Sequence, residues 1–238
     1  MAMQRLDKII CAAGLATRSE VKKLIKSGAV AVDGVVASDG GMKLETGAHT
    51  ISCCGKPVNT DHSRCFMLNK PKGVLSATED REQKTVLDLF SPELRALGLF
   101  PVGRLDKDTT GLLLLTNDGE LSHKITSPRH SVVKCYEALV DGELTEQDAA
   151  AFAEGIELRD GTKCLPARLK LDPVEASRAQ VYISEGKYHQ VKRMLAALGK
   201  PVLELHRRSI GALELDLALS PGEYRELSAE EIELLFTK

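Results

Sequence analysis

A short polar segment at residues 54–63 divides this 238-residue chain into two unequal parts. It reads CGKPVNTDHS, and Gly, Pro, Asn, Asp and Ser favour turns and linkers over regular structure. A chain of this length accommodates one large domain or two modest ones. We therefore predict a small N-terminal module with its linker over residues 1–60, and a larger domain over residues 61–238.

The N-terminal part has the pattern of a small autonomous module. Residues 5–13 place apolar side chains at helical spacing. Thr17 and Glu20 have the spacing of a capping box, which predicts a second helix that ends near Gly28. An Asp-Gly pair between two valine-rich runs in residues 29–36 predicts a β-hairpin.

In the larger part, strand and helix patterns alternate irregularly, which predicts an α+β domain. An exposed, mobile loop is expected over residues 76–84. The predicted strands lie at residues 66–68, 132–140 and 179–183. The predicted helices run from Thr145 to near Gly155 and from Tyr188 to Leu198.

Charge is segregated along the chain although its net value is only -2. Residues 187–208 carry six basic residues and one acidic residue, whereas residues 209–238 carry two basic and seven acidic ones. A locally basic surface binds phosphates even on an acidic protein. The alternative is that these bases merely solvate a helix face.

Neither a membrane segment nor a metal site is expected. The longest aliphatic run, Leu112–Leu115, is far shorter than a membrane helix requires, and the N-terminus lacks the apolar block of a signal peptide. No pair among the six cysteines has C-x-x-C spacing, which favours reduced structural thiols over a metal site. We predict a cytoplasmic protein.

The first motif that suggests chemistry is GRLDKDTTGLLLLT at residues 103–116. A charged turn leads directly into a buried-type strand, which places the carboxylate of Asp106 at the edge of a rigid sheet. The alternative is a charged loop with a capping aspartate.

The second motif is EGKYHQVKRM at residues 185–194, a turn followed by a helix that begins with bases, a tyrosine and a histidine. It is typical of a phosphate-binding helix start with a polar edge that contacts RNA. Tyr188 has the alternative of a packed core aromatic. The candidate RNA contacts here are Lys187, Tyr188, His189, Gln190 and Arg193; those of the N-terminal module are Arg18, Lys22, Lys23 and Lys26.

The third motif is KCY at residues 134–136, on a predicted strand. Residues 124–134 contain three bases and no acid. Aromatic residues make up only 4% of the chain, so few side chains can stack on a nucleobase. The candidates are Tyr136, Tyr182, Tyr188, Tyr224 or a phenylalanine.

Together with RLDK near the start, NKPKG at 69–73, SHKITSPRH at 122–130, LHRRSIG and PGEYREL, these motifs occur in the order found in a known family. The chain resembles the RsuA-type bacterial pseudouridine synthases, which modify small-subunit ribosomal RNA. The N-terminal module resembles the S-four-type (alpha-L) RNA-binding domain. The resemblance implies a mixed, mostly antiparallel catalytic sheet with flanking helices.

The resemblance also implies residue roles. Asp106 matches the family's essential aspartate, Tyr136 the aromatic that stacks beneath the target uracil, and Lys192 the basic partner of the aspartate. Leu205 falls in the motif that provides an apolar wall. Arg104 matches the basic residue that enters the space left by the flipped base. The implied partner is 16S ribosomal RNA in a small-subunit precursor particle, bound by a monomer.

Pseudouridine formation breaks the N1–C1′ bond of uridine and rejoins the turned base through C5. No redox change or energy input occurs, so we expect no cofactor and no metal. One carboxylate suffices, acting as nucleophile or as base, and a cation such as Lys192 would keep it ionised in a dry pocket.

Three alternatives remain open at this point. The first is a non-catalytic RNA-binding factor for ribosome assembly. The second is a glycoside hydrolase, with Asp108 as the second carboxylate that such chemistry normally needs. The third is the same chemistry on the large-subunit (23S) RNA.

Overall fold

The computed structural model of the chain describes residues 3–13, 15–45, 48–58 and 63–237, except for the side chains of Ala12 and Arg18. Residues 59–62 of the predicted linker and the side chain of Arg18 therefore lie outside the described residues. The chain divides into two compact units, the first made of residues 1–63 with 92–98 and the second of residues 64–91 with 99–238. The predicted domain boundary between residues 60 and 61 stays a prediction.

The first unit combines helices with two small sheets. Its first two helices are α1 (Leu6–Ala12) and α2 (Arg18–Lys26). Its strands are β1 (Met3–Arg5), β2 (Val30–Val32), β3 (Val35–Val36), β4 (Lys43–Glu45), β5 (Ile51–Cys53) and β6 (Lys56–Val58). Strand β1 pairs with β4, and the second sheet has the order β3-β2-β5-β6. A core of aliphatic side chains, which includes the fully buried Leu6, Ile10 and Val21, joins the helices to the sheets.

Local signals of the sequence explain these elements. The capping box is present: the Glu20 carboxylate accepts hydrogen bonds from the backbone N–H (2.8 Å) and the hydroxyl (2.7 Å) of Thr17. Asp33 and Gly34 have φ values of 49° and 80°, which give the tight turn between β2 and β3. Both predicted helices and the predicted hairpin are confirmed.

The linker prediction is wrong for its first half. Cys54 and Gly55 have φ values of 50° and 74° and form a tight turn between β5 and β6. Residues 54–58 therefore complete a hairpin of the first unit. The reason is that turn-forming residues indicate a reversal of the chain equally well within a sheet and between domains.

The second unit is built on one large mixed sheet. Its strands are β7 (Cys65–Lys70), β8 (Phe100–Pro101), β9 (Thr110–Thr116), β10 (Lys134–Val140), β11 (Arg168–Leu171), β12 (Arg178–Ile183), β13 (Val202–Ile210), β14 (Leu213–Glu214) and β15 (Tyr224–Glu226). The order is β11-β12-β10-β13-β9-β7-β15, with β14 beside β13 and β8 beside β9. The pairings are antiparallel except for that of β9 with β13. The predicted mixed, mostly antiparallel sheet is confirmed.

Helices flank the sheet of the second unit as predicted. Helix α3 is the exception among the helices that follow, because it belongs to the segment grouped with the first unit. The remaining helices are α3 (Pro92–Arg95), α4 (Gly119–Thr126), α5 (Glu146–Glu154), α6 (Gln190–Ala197) and α7 (Ala229–Leu234), with short 3-10 turns at Val86–Leu89 and Pro128–His130. No helix in the described part of the chain has the length and apolar character needed to cross a bilayer.

The helix predicted from Tyr188 begins two residues later than expected. His189 has φ 48°, in the left-handed region, so the regular helix starts only at Gln190. The alternative that Tyr188 is a core aromatic is wrong, because 76% of this residue is exposed.

One close approach between strands positions the functional residues. Gly111 on β9 lies opposite Arg207 on β13, where the two strands run parallel. Its φ is 98°, and a Cβ atom at this position would lie 2.4 Å from the carbonyl oxygen of Arg207. Only glycine permits this spacing. The strand that follows Asp106 is thereby held against the strand that carries Leu205 and Arg207.

Candidate active site

Asp106 lies in the loop between β8 and β9, four residues before β9 begins. Its backbone carbonyl accepts a hydrogen bond from the N–H of Thr109 (3.1 Å), which makes residues 106–109 a turn at the end of the sheet. The side chain is about one quarter exposed, so it is accessible from a cleft but not freely solvated. The structure thus places the carboxylate at the rigid sheet edge that the sequence predicted.

Ser76 fixes the backbone immediately before Asp106. Its hydroxyl donates to the carbonyl of Leu105 (2.8 Å) and accepts from the N–H of the same residue (3.0 Å). Ser76 is buried, so both bonds are shielded from water. One side chain therefore satisfies both backbone polar groups of Leu105, which limits the freedom of the residue after it.

Lys70 fixes the backbone after Asp106. Its ammonium donates hydrogen bonds to the carbonyls of Thr109 (3.0 Å), Pro71 (3.1 Å) and Lys107 (3.3 Å). The residue is completely buried, and this burial lowers the pKa of its ammonium to about 8. Lys70 and Ser76 together hold the Asp106 loop from both sides.

Lys192, on the first turn of α6, contacts two carboxylates. Its Nζ lies 3.1 Å from Oδ2 of Asp106 and 2.6 Å from Oδ1 of Asp108. Burial alone would lower the pKa of Lys192, but the hydrogen bonds to Asp108 and Asp106 outweigh it and raise the pKa. The hydrogen bond from Lys192 lowers the pKa of Asp108 in turn. The predicted partner of Asp106 therefore serves both acids of the motif.

His189 contacts the other oxygen of Asp106. Its Nε2 lies 3.2 Å from Oδ1 of Asp106. The left-handed backbone of His189, just before α6, directs the ring to this contact. The His189 ring also stacks on the ring of Tyr188, with centroids 3.8 Å apart and planes 16° apart. Both oxygens of the Asp106 carboxylate are thus held by side chains from the start of α6.

A small cleft of about 70 Å³ opens beside Asp106. Its lining contains all five residues to which the sequence assigned a role at the reacting base: Arg104, Asp106, Tyr136, Lys192 and Leu205. Tyr136 and Leu205 are buried wall residues on β10 and β13, whereas Arg104 is exposed at the rim. The structure brings these residues together from four separate segments.

Arg207 holds Tyr136 from behind. Its Nε donates to the carbonyl of Leu112 on β9 (2.7 Å), and its Nη1 lies 3.4 Å from the hydroxyl of Tyr136. The guanidinium carbon lies 5.9 Å from the centroid of the Tyr136 ring. Arg207 is buried and so links the strand after Asp106 to the aromatic wall of the cleft.

The other predicted contacts near α6 are engaged within the protein. Lys187 forms an ion pair with Glu185 and also donates to the carbonyl of Lys163 (3.1 Å). Gln190 is buried, where it accepts from the N–H of Lys187 (2.9 Å) and donates to Glu185 (2.7 Å). These bonds order the loop before α6. Arg193 is paired with Asp160.

The predicted RNA contacts of the first unit lie on α2. Lys22, Lys23 and Lys26 are exposed on this helix. Lys22 also lines a shallow surface pocket together with Arg5, Asp7, Lys8 and Ser19. The roles assigned to these lysines stay predictions.

The described residues contain no group of three or more His, Cys, Asp or Glu side chains that could hold a metal ion. The ionisable side chains that line the cleft include those of Asp106, Lys192, His189 and Arg104. A nucleoside bound in the cleft would therefore meet one carboxylate and several side chains that carry nitrogen atoms.

Sequence reasoning missed three residues that shape the site: Lys70 and Ser76 act on the backbone of the Asp106 loop, and Arg207 acts on Tyr136. It considered Asp108 as a second carboxylate but did not predict that Asp108 shares Lys192 with Asp106. The NKPKG segment contains Lys70, but its pattern alone indicates no role for that side chain. Ser76 is the first residue of the loop predicted to be exposed over residues 76–84, and at this residue the prediction is wrong, because Ser76 is buried by its contact with Leu105. Residues 78–84 are exposed.

Comparisons with known proteins identify related families along the chain. A family model described as RNA pseudouridylate synthase matches residues 64–197. A model described as S4 domain matches residues 4–49, which confirms the predicted S-four-type module. Among solved structures, one described as a crystal structure of pseudouridylate synthase has a TM-score of 0.69 and 41% sequence identity, covering 97% of this chain and 99% of that one.

Two curated relatives cover nearly the whole length. Ribosomal small subunit pseudouridine synthase A of Escherichia coli (strain K12) is 43% identical over 229 residues, which are 96% of this chain and 98% of that protein. An uncharacterised RNA pseudouridine synthase of Bacillus subtilis (strain 168) is 44% identical over 233 residues, which are 97% of this chain and 98% of that protein.

Proposed function

This chain belongs to the RNA pseudouridylate synthase family, and we propose that it isomerises a specific uridine of small-subunit (16S) ribosomal RNA with Asp106 as its essential residue. As a member of the family it is a pseudouridine synthase, an isomerase with an S4 RNA-binding domain. The family membership removes the glycoside hydrolase from the alternatives. The identity of the RNA rests on the name of the relatives that match over nearly the full chain.

The observation that supports Asp106 as the essential residue is that other side chains hold its carboxylate in place. Lys192 and His189 contact its two oxygens, and Tyr136 and Leu205 line the same cleft. These contacts fix the carboxylate beside the cleft, where a nucleophile or base has to be positioned. Asp108 is more exposed and is engaged by the same lysine, so it is the weaker candidate.

In the reaction, the C1′–N1 bond breaks and its electron pair goes to N1 of the uracil. Asp106 acts in one of two ways: it bonds to C1′, and that bond breaks again when C5 attacks C1′, or it removes the C2′ proton and returns it when C5 has bonded to C1′. The detached base turns over Tyr136 and C5 bonds to C1′. C5 then loses its proton and N1 takes one up, so the product is an isomer of the starting uridine. Leu205 limits the pocket on its apolar side, and Arg104 occupies the space in the RNA that the target base has left.

The RNA is held by two sets of residues in this proposal. The exposed lysines of α2 contact phosphates and orient the RNA, while the residues at the start of α6 contact the nucleotides near the target. A ribosomal RNA target places the reaction in the cytoplasm during assembly of the small subunit. We propose that a monomer acts on the precursor particle.

Mapping pseudouridine in ribosomal RNA tests the function. RNA is compared from cells with the gene, without it, and with the gene carrying Asp106→Asn. We expect one site in 16S RNA that is absent from the second and third strains. A site absent from 23S RNA instead would overturn the assignment to the small subunit, and a site retained with Asp106→Asn would overturn the role of Asp106.

A further inference from the structure

Tyr188, which has no part in the reaction above, forms an aromatic pair with His189 beside the cleft. All four tyrosines of the chain lie among the described residues, and Tyr188 alone is exposed. Its ring stacks on that of His189, almost parallel, at 3.8 Å. A large aromatic ring is thus held in a fixed orientation in contact with solvent.

The backbone that presents the pair is strained. His189 has φ 48°, in the left-handed region that few residues other than glycine adopt. Such conformations persist where the surrounding structure holds them, and they cluster at ligand-binding positions. Here the contact with Asp106 and the start of α6 hold His189 in this conformation. Tyr188 is positioned in turn by its stacking on the His189 ring.

The pair lies one side chain away from the proposed reacting carboxylate. The imidazole of His189 contacts Oδ1 of Asp106 with one edge and the Tyr188 ring with one face. A uridine whose C1′ lies against Asp106 is linked through single phosphates to its neighbours on both sides. The base of a neighbouring nucleotide is therefore within reach of the exposed ring.

The charges around the pair favour a neutral partner. Lys187 and Arg193, the bases on either side, are neutralised by Glu185 and Asp160. Aromatic rings stack on any nucleobase, because every base has a π face, and this interaction needs no charge. A phosphate would instead require cations that are not already paired.

We infer that the Tyr188–His189 pair is a stacking subsite for an unpaired base that adjoins the target uridine. The inference rests on the proposed function, because it needs an RNA whose uridine lies at Asp106. It assigns Tyr188 a contact with one nucleotide, separate from the base that reacts. Recognition of the target then includes the requirement that the neighbouring nucleotide is unpaired.

A double-mutant cycle tests the subsite. The dissociation constant is measured for wild type and for Tyr188→Ala, on a small-subunit RNA fragment that wild type modifies. The fragment is used intact and with an abasic nucleotide on the 5′ or the 3′ side of the target. Tyr188→Ala should weaken binding of intact RNA roughly five- to hundredfold. On the abasic RNA that lacks the stacked base, Tyr188→Ala and wild type should have equal dissociation constants.

Two further variants make the result decisive. Tyr188→Phe keeps the ring, so most of the affinity that Tyr188→Ala removes should return. Leu217→Ala removes an exposed apolar side chain outside the cleft lining and should bind as wild type does. Equal losses of affinity by Tyr188→Ala on intact RNA and on both abasic RNAs would overturn the subsite. Failure of wild type to modify any ribosomal RNA would instead overturn the proposed function, because the cycle measures binding alone.

Discussion

The lysines of α2 and the lysines around Asp106 carry the same charge in opposite surroundings. Lys22, Lys23 and Lys26 are exposed, whereas Lys70 is completely buried and Lys192 is about one fifth exposed. Exposed cations exchange counterions with the solvent, so their effect on RNA binding depends on salt. Buried cations are fixed by their partners, so their effect depends on geometry and on pH. The first group is suited to holding a polyanion and the second to holding a reacting group.

The largest decrease in the rate of pseudouridine formation is expected when the Asp106 carboxylate, which the buried lysines position, is removed. Asp106→Asn keeps the size of the side chain but removes its charge and its nucleophilic oxygen. Pseudouridine formation should fall by on the order of 10⁴-fold or more. RNA affinity should stay the same or rise slightly, because one anion that faces a polyanion is removed. The measurement is tritium release from RNA labelled at C5 of uridine, together with the dissociation constant.

Asp108→Asn is the matched control for this prediction. Asp108 is the nearer partner of Lys192 but is more exposed than Asp106. We expect a decrease in rate of roughly tenfold, since Lys192 would keep its contact with Asp106. Equal decreases in the two variants would contradict a mechanism with a single essential carboxylate.

The second prediction concerns Lys192. Lys192→Met removes the ammonium but keeps much of the side-chain volume, and the rate should fall on the order of 10²–10³-fold. The physical reason is that the ammonium no longer holds the Asp106 carboxylate in position. In wild type the raised pKa keeps Lys192 charged, and its ion pairs break only as the pH rises through that value, above 10.5. Rate constants under single-turnover conditions across pH give the comparison.

Lys200→Met, in the loop after α6, is the control and should behave as wild type. A Lys192→Met enzyme with normal activity would remove Lys192 from the reaction and leave its interaction with Asp106 as a structural ion pair.

The third prediction tests the exposed group. Replacing Lys22, Lys23 and Lys26 together by alanine should weaken RNA binding roughly tenfold at moderate salt. The slope of log affinity against log salt should fall by about 0.7–0.9 for each phosphate that is no longer neutralised. The rate at saturating RNA should not change. Lys56→Ala removes one exposed lysine from β6 of the same unit and should leave the slope unaltered; an unchanged slope in the triple variant as well would show that α2 does not bind phosphates.

The fourth prediction separates positioning from charge. Ser76→Ala leaves both backbone groups of Leu105 without their buried partner, which costs on the order of 1–3 kcal/mol of stability. The rate at saturating RNA should fall roughly threefold to tenfold as the Asp106 loop loosens, while RNA affinity stays constant. Ser220→Ala, at an exposed serine, should change neither quantity. A decrease in affinity without a decrease in rate would place Ser76 in RNA binding instead.

The smallest effect is a pH dependence of stability. Burial lowers the pKa of Lys70 from 10.5 to about 8, so between these values the unfolded chain binds more protons than the folded one. The free energy of unfolding of wild type should therefore rise with pH from 8 to 10.5, relative to that of Lys70→Met. Urea denaturation of both proteins at several pH values measures the difference. A difference that does not vary with pH would mean that burial leaves the pKa of Lys70 at its ordinary value.

Local patterns predicted the parts of the fold that local interactions determine. The Thr17 capping box, the Asp33-Gly34 turn and the alternation along β10 all depend on neighbours in sequence. The contacts at Asp106 do not depend on neighbours in sequence. Ser76 is 29 residues away from Leu105, and Lys192 is 84 residues away from Asp108. Such contacts arise from strand order, which residue spacing does not encode.

The cleft was predicted better by resemblance than by pattern. Tyr136, Lys192 and Leu205 line the cleft with Asp106, as the family motifs implied. The left-handed backbone of His189 was not predicted, because only a few per cent of residues other than glycine adopt this conformation and the local sequence does not indicate which ones do. Its contact with Asp106 depends on that conformation and was missed for the same reason.

Gly111 limits which changes the sequence of this protein can accept. A side chain there would push the strand after Asp106 away from the strand that carries Leu205 and Arg207. The loop that leads into β9 carries Asp106, and β13 carries Leu205, and both residues line the cleft. One substitution at Gly111 would therefore displace several participants in the reaction at once. Variation in RNA choice is therefore expected in α2 and in the residues at the start of α6.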